Sequence, residues 1–329
     1  MAGNDTYFDI IERIADGRAS GTTANNDAVS LMLDVSGMLA ADREHLEQML
    51  RNALSDAGAQ SVRVMLTAER IAPRLIAVAS GKGGVGKSTL STNLAVAMKR
   101  AGRAVGLVDA DIYGPSQPRL MGVEDSKPES QDKKLIPVTG AGGVPFLSMG
   151  QLVKSGQAVA WRGPMAGSAL SQLVDAHWGD VRDIIVDLPP GTGDIQLSMI
   201  QKHKPIGAII VSTPQDLALI DAMRAISFFD TAKVPIIGMV ENMAGYFCPH
   251  CGEMSDPFGH GGAEAAAAEL GIPFLGRIPL DISIRMASDA GEPPALGDGP
   301  ISGAYTAIAR RVSDWIDTAK TGQQKAAAA

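Results

Sequence analysis

The stretch LIAVASGKGGVGKST, residues 75–89, constrains this chain more than any other. An apolar run of strand-forming residues passes directly into a glycine-rich loop, and a helical pattern follows it. Gly81, Gly86, Lys87 and Ser88 fit G-x-x-x-x-G-K-[ST], and strand before and helix after is the context in which that pattern cradles phosphate. The glycines let successive backbone N–H groups curl round phosphate oxygens, and the helix adds the positive end of its dipole. Gly81, Lys82, Gly83, Gly84, Val85, Gly86, Lys87, Ser88 and Thr89 are therefore the expected nucleotide contacts. Lys87 is expected to reach the β- and γ-phosphates, and the Ser88 hydroxyl to ligate Mg²⁺. A glycine-rich turn carrying a solvated lysine is the plain alternative, and the flanking elements argue against it.

From residue 75 onward the same alternation repeats. LIAVAS, AVGLVDAD, DIIVDLPP, GAIIVSTP, IIGMVENM and PFLGRIPL are nearly all apolar, as strands buried on both faces are. Helical patterns over 88–100, 217–229 and 262–270 lie between them. The expected fold is α/β, a mostly parallel sheet wrapped by helices, over 75–320. Residues 1–68 read as a separate small α/β unit. A helix over 7–15 precedes a Gly/Thr/Asn-rich turn, then come a strand in DAVSLMLDVS, a helix over 41–57 and a strand in SVRVMLT. Residues 69–74 are the expected linker, and 321–329 a frayed, flexible tail.

Ligands of such sheets bind beyond the carboxyl ends of the strands, where the acidic residues fall. VDADIYGPS carries Asp109 and Asp111 two residues apart, on one side of an extended chain. Carboxylates there can hold Mg²⁺ through water or orient the attacking water, so Asp111 joins Lys82 and Lys87 as a catalytic candidate. DIIVDLPPGTGD puts Asp187 at a strand end, with Gly191 and Gly193 turning the chain close to the γ-phosphate. Any one such Asp is more often a cap or turn residue, but three strands converging on one phosphate loop weaken that reading.

The net charge is −7, and ten acids against five bases lie in residues 1–66, the wrong sign for a duplex-binding surface. No apolar run reaches the roughly 18 residues of a membrane span. MAGNDTYFDI lacks a basic patch followed by an apolar run, so a cytoplasmic location is expected rather than secretion. Cys248 and Cys251, the two cysteines of the chain, form a C-x-x-C in GYFCPHCGEM. A redox dithiol prefers a helix start, whereas this pair follows a strand among Gly and Pro. A zinc site needs four ligands, and His250 and His260 are the nearby candidates. Alternatively two chains each donate a pair, and four thiolates suit zinc or a [4Fe–4S] cluster alike.

KGGVGKST resembles the deviant phosphate loop of the MinD/ParA ATPases. That resemblance implies that Lys82 contacts nucleotide across the interface of a homodimer, like an arginine finger. GKGGVGKST, VDADIYGPS, DLPPGTGD, ENMAGY and CPHC, in that order, closely resemble the Mrp/ApbC iron–sulfur cluster carrier ATPases over about 75–315. The resemblance implies ATP binding and slow hydrolysis with Mg²⁺. It implies a [4Fe–4S] cluster held between two subunits by Cys248 and Cys251 of each, and transfer of that cluster from a donor to apo-proteins. It also implies that Asp109 and Asp187 border the nucleotide and that Asn242 reads the adenine edge. No nucleic-acid or membrane partner is expected.

Residues 1–68 more weakly resemble the unit that precedes the ATPase in bacterial members. They lack the cysteine many such units carry, so docking is a better expectation for them than cluster handling. Two other classes compete. A MinD/ParA-like positioning ATPase would pattern membranes or segregate DNA, and its membrane versions need a basic amphipathic tail helix. AYTAIARRVSDWIDTAK is amphipathic through Ile308, Val312, Trp315 and Ile316 but mixes Arg with Asp on its polar face. An NTPase with a dimer-bridging structural zinc would explain the cysteines and predicts a colourless protein.

Overall fold

The computed structural model describes residues 4–25, 27–36, 38, 40–68, 72–152, 163–248 and 250–327. The chain divides into two compact units, Met1–Ala72 and Pro73–Ala329. Part of the expected linker, 69–71, lies outside the described residues.

The first unit comprises α1 (Asn4–Ala15), β1 (Ala19–Asn25), β2 (Ala28–Asp34), α2 (Ala40–Asp56) and β3 (Ser61–Thr67). β2 pairs antiparallel with β1 and parallel with β3. Val29, Leu31 and Leu33, alternating along β2, bury one sheet face against Tyr7 and Ile11 of α1 and Leu50 and Leu54 of α2. β1 corrects the sequence reading, which takes ASGTTAN for a turn. Its weak strand propensity is overridden by pairing with β2, including a 2.7 Å hydroxyl contact between Thr23 and Ser30.

The second unit runs β4 (Arg74–Ala79), α3 (Lys87–Arg100), β5 (Val105–Asp109), α4 (Gln117–Leu120), β6 (Glu129–Gln131), β7 (Lys134–Ile136), β8 (Val138–Gly140) and β9 (Val144–Ser148). It continues with α5 (Gly163–Val174), β10 (Asp183–Asp187), α6 (Asp194–Ser198), β11 (Gly207–Ser212), α7 (Asp216–Thr231), β12 (Ile236–Phe247) and β13 (Met254–Ser255). It closes with α8 (Gly262–Glu269), β14 (Phe274–Leu280), α9 (Ile282–Asp289) and α10 (Pro300–Ala327). The main sheet has the order β13-β12-β11-β4-β10-β5-β9-β8, with β14 also on β12. Its central strands are parallel, and β8 and β13 add antiparallel edges. The fold is thus the expected α/β type.

Alternation along the strands builds two apolar layers. Ile76 and Val78 of β4 face a core with Leu94 and Met98 of α3 and Tyr305, Ile308, Val312 and Ile316 of α10. Ala77 and Ala79 face Leu170 and Leu173 of α5, Ala225 and Phe229 of α7, and Ala267 of α8. The apolar stripe of α10 is therefore spent inside the protein. That helix also runs through most of the segment expected to fray, ending at Ala327, in keeping with the helix propensity of its alanines.

Between β12, β14 and α8, Glu241 is fully buried and accepts hydrogen bonds from Arg277 Nε at 2.9 Å and Ala263 N at 2.8 Å. Arg277 also pairs with the exposed Glu264 and lies over the Phe274 ring. Removing Arg277 leaves the buried Glu241 carboxylate without its cation. Because the Arg277 side chain is itself 35% exposed, Arg277→Met is expected to cost about 1–3 kcal/mol in urea unfolding, and Glu264→Gln under about 1 kcal/mol. Equal losses would contradict this assignment of burden.

Candidate functional site

β4, β10 and β5 lie side by side and in register, with Asp187 opposite Val78 on one neighbour and Asp109 on the other. Their carboxyl ends deliver the glycine-rich loop, Asp187 and Asp109 to one edge of the sheet. The loop encloses a cavity of about 250 Å³ lined by Lys82–Thr89 together with Asp111, Ser116 and Pro190. A larger open groove of about 850 Å³, lined by Arg100, Arg310 and Asp314, lies at the far end of α3 and meets none of the residues singled out from the sequence.

The loop owes its shape to two close approaches. A Cβ on Gly81 would fall 2.1 Å from the backbone of Asp221 in α7. Gly86 has φ +81°, and a Cβ there would fall 2.0 Å from Asn242 Nδ2. Asn242, at the turn in β12, donates from Nδ2 to Val85 O at 2.8 Å and so holds the loop itself. Gly83 and Gly84 are exposed, Ser88 and Thr89 half-buried at the start of α3. Lys82 is half-buried on the cavity wall and makes no ion pair among the described residues.

Lys87 is buried, with Nζ 2.5 Å from Oδ1 of the fully buried Asp187. Ser91 Oγ donates to the same oxygen at 3.1 Å, and Gln117 Nε2 to Oδ2 at 2.9 Å. Asp109, also fully buried, accepts from Ser148 Oγ at 2.8 Å, Asp111 N at 3.1 Å and Gln117 N at 3.3 Å. Burial, and then the charge of Asp187, push the Asp109 carboxyl up to about 8. The edge thus gathers one lysine and two buried acids, and burial beside Asp187 disfavours the charged form of Asp109.

Asp109 and Asp111 do not share a face of an extended chain. The backbone turns after β5, so Asp109 points into the sheet edge and Asp111 borders the phosphate-loop cavity, its Oδ1 accepting from Tyr113 N and Gly114 N. Gly191 carries φ +86°, and its N–H donates to Ser80 O, bringing the glycine turn after β10 against the loop. Gln196 braces that turn through Pro189 O and Gly193 N. Gln117, Ser148, Ser91 and Gln196 carry no motif signal. The carboxylate partners of Gln117, Ser148 and Ser91 lie on other strands, up to 96 residues away, whereas Gln196 bonds only within the turn before its own helix among the described residues.

β12 continues past Asn242 to the cysteines. Phe247 pairs with Met254 of β13, so the C-x-x-C forms the turn of a β-hairpin, not a helix start. Cys248 N donates to Glu253 O, and Gly252 N to Cys248 O. The backbone N–H groups of Cys251 and His250 donate to the Cys248 sulfur and hold its thiol below the ordinary value. Cys248 is half-buried and Cys251 exposed. His250 and His260 do not complete a ligand set: among the described residues no three His, Cys, Asp or Glu are grouped to hold a metal. His260 instead faces Asp256 at 3.6 Å. The hairpin therefore offers two sulfur ligands per chain.

Residues 72–313 match the ParA family model described as the NUBPL iron-transfer P-loop NTPase. The chain is 50% identical over 242 residues to the iron-sulfur protein required for NADH dehydrogenase, mitochondrial, of Arabidopsis thaliana, covering 72% of this chain and 77% of that protein. It is 46% identical over 242 residues to an iron-sulfur cluster carrier protein of Haemophilus influenzae, covering 73% of this chain and 65% of that protein. Among solved structures it resembles a nucleotide-binding protein from Archaeoglobus fulgidus in complex with ADP. That likeness has a TM-score of 0.61 and 40% identity, over 68% of this chain and 89% of the other.

The raised Asp109 carboxyl makes stability depend on pH. Between about 4, where an unfolded aspartate ionises, and about 8, the unfolded chain has lost this proton and the folded chain keeps it. Stability therefore falls as pH rises through that window. Asp109→Asn removes the effect, so the melting temperature of the nucleotide-free variant should gain on the wild type from pH 5 to pH 8. A constant difference would mean that Asp109 is ionised throughout.

Proposed function

The chain belongs to the NUBPL iron-transfer P-loop NTPase family, and on that premise we propose that it is a cytoplasmic, homodimeric carrier that delivers [4Fe–4S] clusters to apo-proteins and binds and hydrolyses ATP in doing so. The observation that carries the proposal is the pair of thiols on the hairpin of β12, the strand whose Asn242 holds the phosphate loop. Two sulfurs and no third grouped ligand among the described residues leave a four-thiolate site to be completed by a second chain. The cluster is the cargo. The lowered Cys248 thiol favours the thiolate that binds it.

In the nucleotide site, Lys87 exchanges Asp187 for the β- and γ-phosphates. The loop amides of residues 81–89 surround the phosphates, and Asn242, while still bonded to Val85 O, is left with Oδ1 for the adenine edge. Oxygen donors suit Mg²⁺: the Ser88 hydroxyl lines the cavity, Asp187 lies behind it, and Asp109 borders the site through the backbone of Gln117. The ion, when bound, neutralises charge on the β- and γ-phosphates. Asp111 has its Oδ2 free of protein hydrogen bonds among the described residues and borders the cavity, suiting it to orient the attacking water. Lys82, on the cavity wall and without an ion pair among the described residues, is available to the partner's nucleotide. Residues 1–68 serve as a docking unit for donors or clients.

A positioning ATPase explains neither the thiol hairpin nor an α10 whose apolar stripe is buried. Among the described residues no helix is long and apolar enough to cross a membrane. A dimer-bridging structural zinc uses the same four sulfurs, and transfer distinguishes it. Wild-type protein loaded with iron and sulfide should restore the activity of an apo [4Fe–4S] enzyme, and Cys248→Ala and Cys251→Ala should not. Lys87→Ala should lose nucleotide binding, and Lys82→Ala should lose ATP turnover by more than about tenfold while binding is kept. Restoration by either cysteine variant, or equal affinity and turnover in both lysine variants, would refute the assignment.

A further inference from the structure

Gln117 has no part in the roles above, yet it joins more of the site than any other uncharged side chain. It is fully buried. Its Nε2 donates to Asp187 Oδ2 at 2.9 Å and to Ser88 O at 3.0 Å, which uses both hydrogens of the amide. Its Oε1 accepts from Thr92 Oγ1, and its backbone N donates to Asp109 Oδ2 at 3.3 Å. The amide is therefore fixed in one orientation, because a flip would set Oε1 against a carboxylate and a carbonyl. α4, only four residues long, is anchored to the sheet edge through this side chain.

The two groups that Nε2 grips belong to different elements. Asp187 ends β10, and Ser88 lies in the first turn of α3. In the nucleotide-free protein Asp187 Oδ1 is held by Lys87 and Ser91, and Oδ2 by Gln117. When Lys87 turns to phosphate, Asp187 loses its one cation and remains buried. The hydrogen bonds from Ser91 and Gln117 are then what hold the carboxylate in place.

We propose that Gln117 is a positioning residue for the metal of the nucleotide complex: one amide clamps the Asp187 carboxylate and the Ser88 backbone in the relation that Mg²⁺·nucleotide requires. This inference rests on the phosphate-loop reading given above. Groups that orient metal ligands from behind typically contribute about 10–100-fold to metal affinity. A glutamate here would set a second charge against Asp187, and an apolar residue would leave Oδ2 without a donor.

The test is the affinity of the full chain for mant-labelled AMPPNP, a non-hydrolysable triphosphate, in EDTA and in saturating Mg²⁺. Gln117→Met keeps the length and volume of the side chain. It should leave the EDTA affinity within about twofold and reduce the Mg²⁺-dependent gain about 10–100-fold. Should that variant fail to fold by thermal melting, Thr92→Val frees Oε1 alone, and the Mg²⁺-dependent gain should still fall more than the EDTA affinity. An equal loss in EDTA and in Mg²⁺, or no change in either, overturns the proposal. Wild-type protein that binds no nucleotide would instead refute the phosphate-loop reading beneath it.

Discussion

The buried contact between Lys87 and Asp187 is the constraint around which the second unit is arranged. Burying two charges is costly, and their attraction offsets that cost only when the remaining lone pairs and protons are satisfied. Here Ser91 and Gln117 supply the remaining donors to Asp187. The pair exists because β4 and β10 are parallel neighbours in register, so the loop after one meets the carboxylate ending the other. A sheet of antiparallel neighbours would send those two ends in opposite directions. At the same edge Asp109 is pushed toward its neutral form, by burial first and then by the charge of Asp187.

β12 connects this edge to the thiols. Asn242 bonds to the loop carbonyl of Val85, and six residues later the same strand reaches Cys248. Between them the strand is not regular. Met243 has φ +58°, Gly245 has φ +75°, and the register against β14 shifts between Asn242 and Tyr246. A non-glycine residue in the left-handed region is held there by its surroundings. The nucleotide site and the thiol hairpin are thus two ends of one short, bent strand.

Much of this was legible in the sequence because its signals are local. The glycine loop, the apolar runs and the positions of Asp109, Asp111 and Asp187 follow from strand patterns and the turns that end them, whereas Asn242 stands out only through the family resemblance. What was not legible depends on partners distant along the chain. Gln117 looks like an ordinary residue of a Pro-containing turn until Asp187, 70 positions on, is placed beside it. β1 has a loop-like composition, and only its neighbour β2 makes it a strand. Asp109 and Asp111 share a parity that suggests one face, but the chain turns immediately after β5. The C-x-x-C was visible as a pair, whereas its hairpin setting needed the pairing of Phe247 with Met254.

The account turns on the thiol pair being half of a site that two chains complete. Anaerobic reconstitution with iron and sulfide, followed by native mass measurement and counting of both elements, tests this directly. The account predicts a brown dimer holding about four iron and four sulfide per two chains. A colourless dimer retaining about one zinc, or a monomer that holds its metal alone, would contradict it.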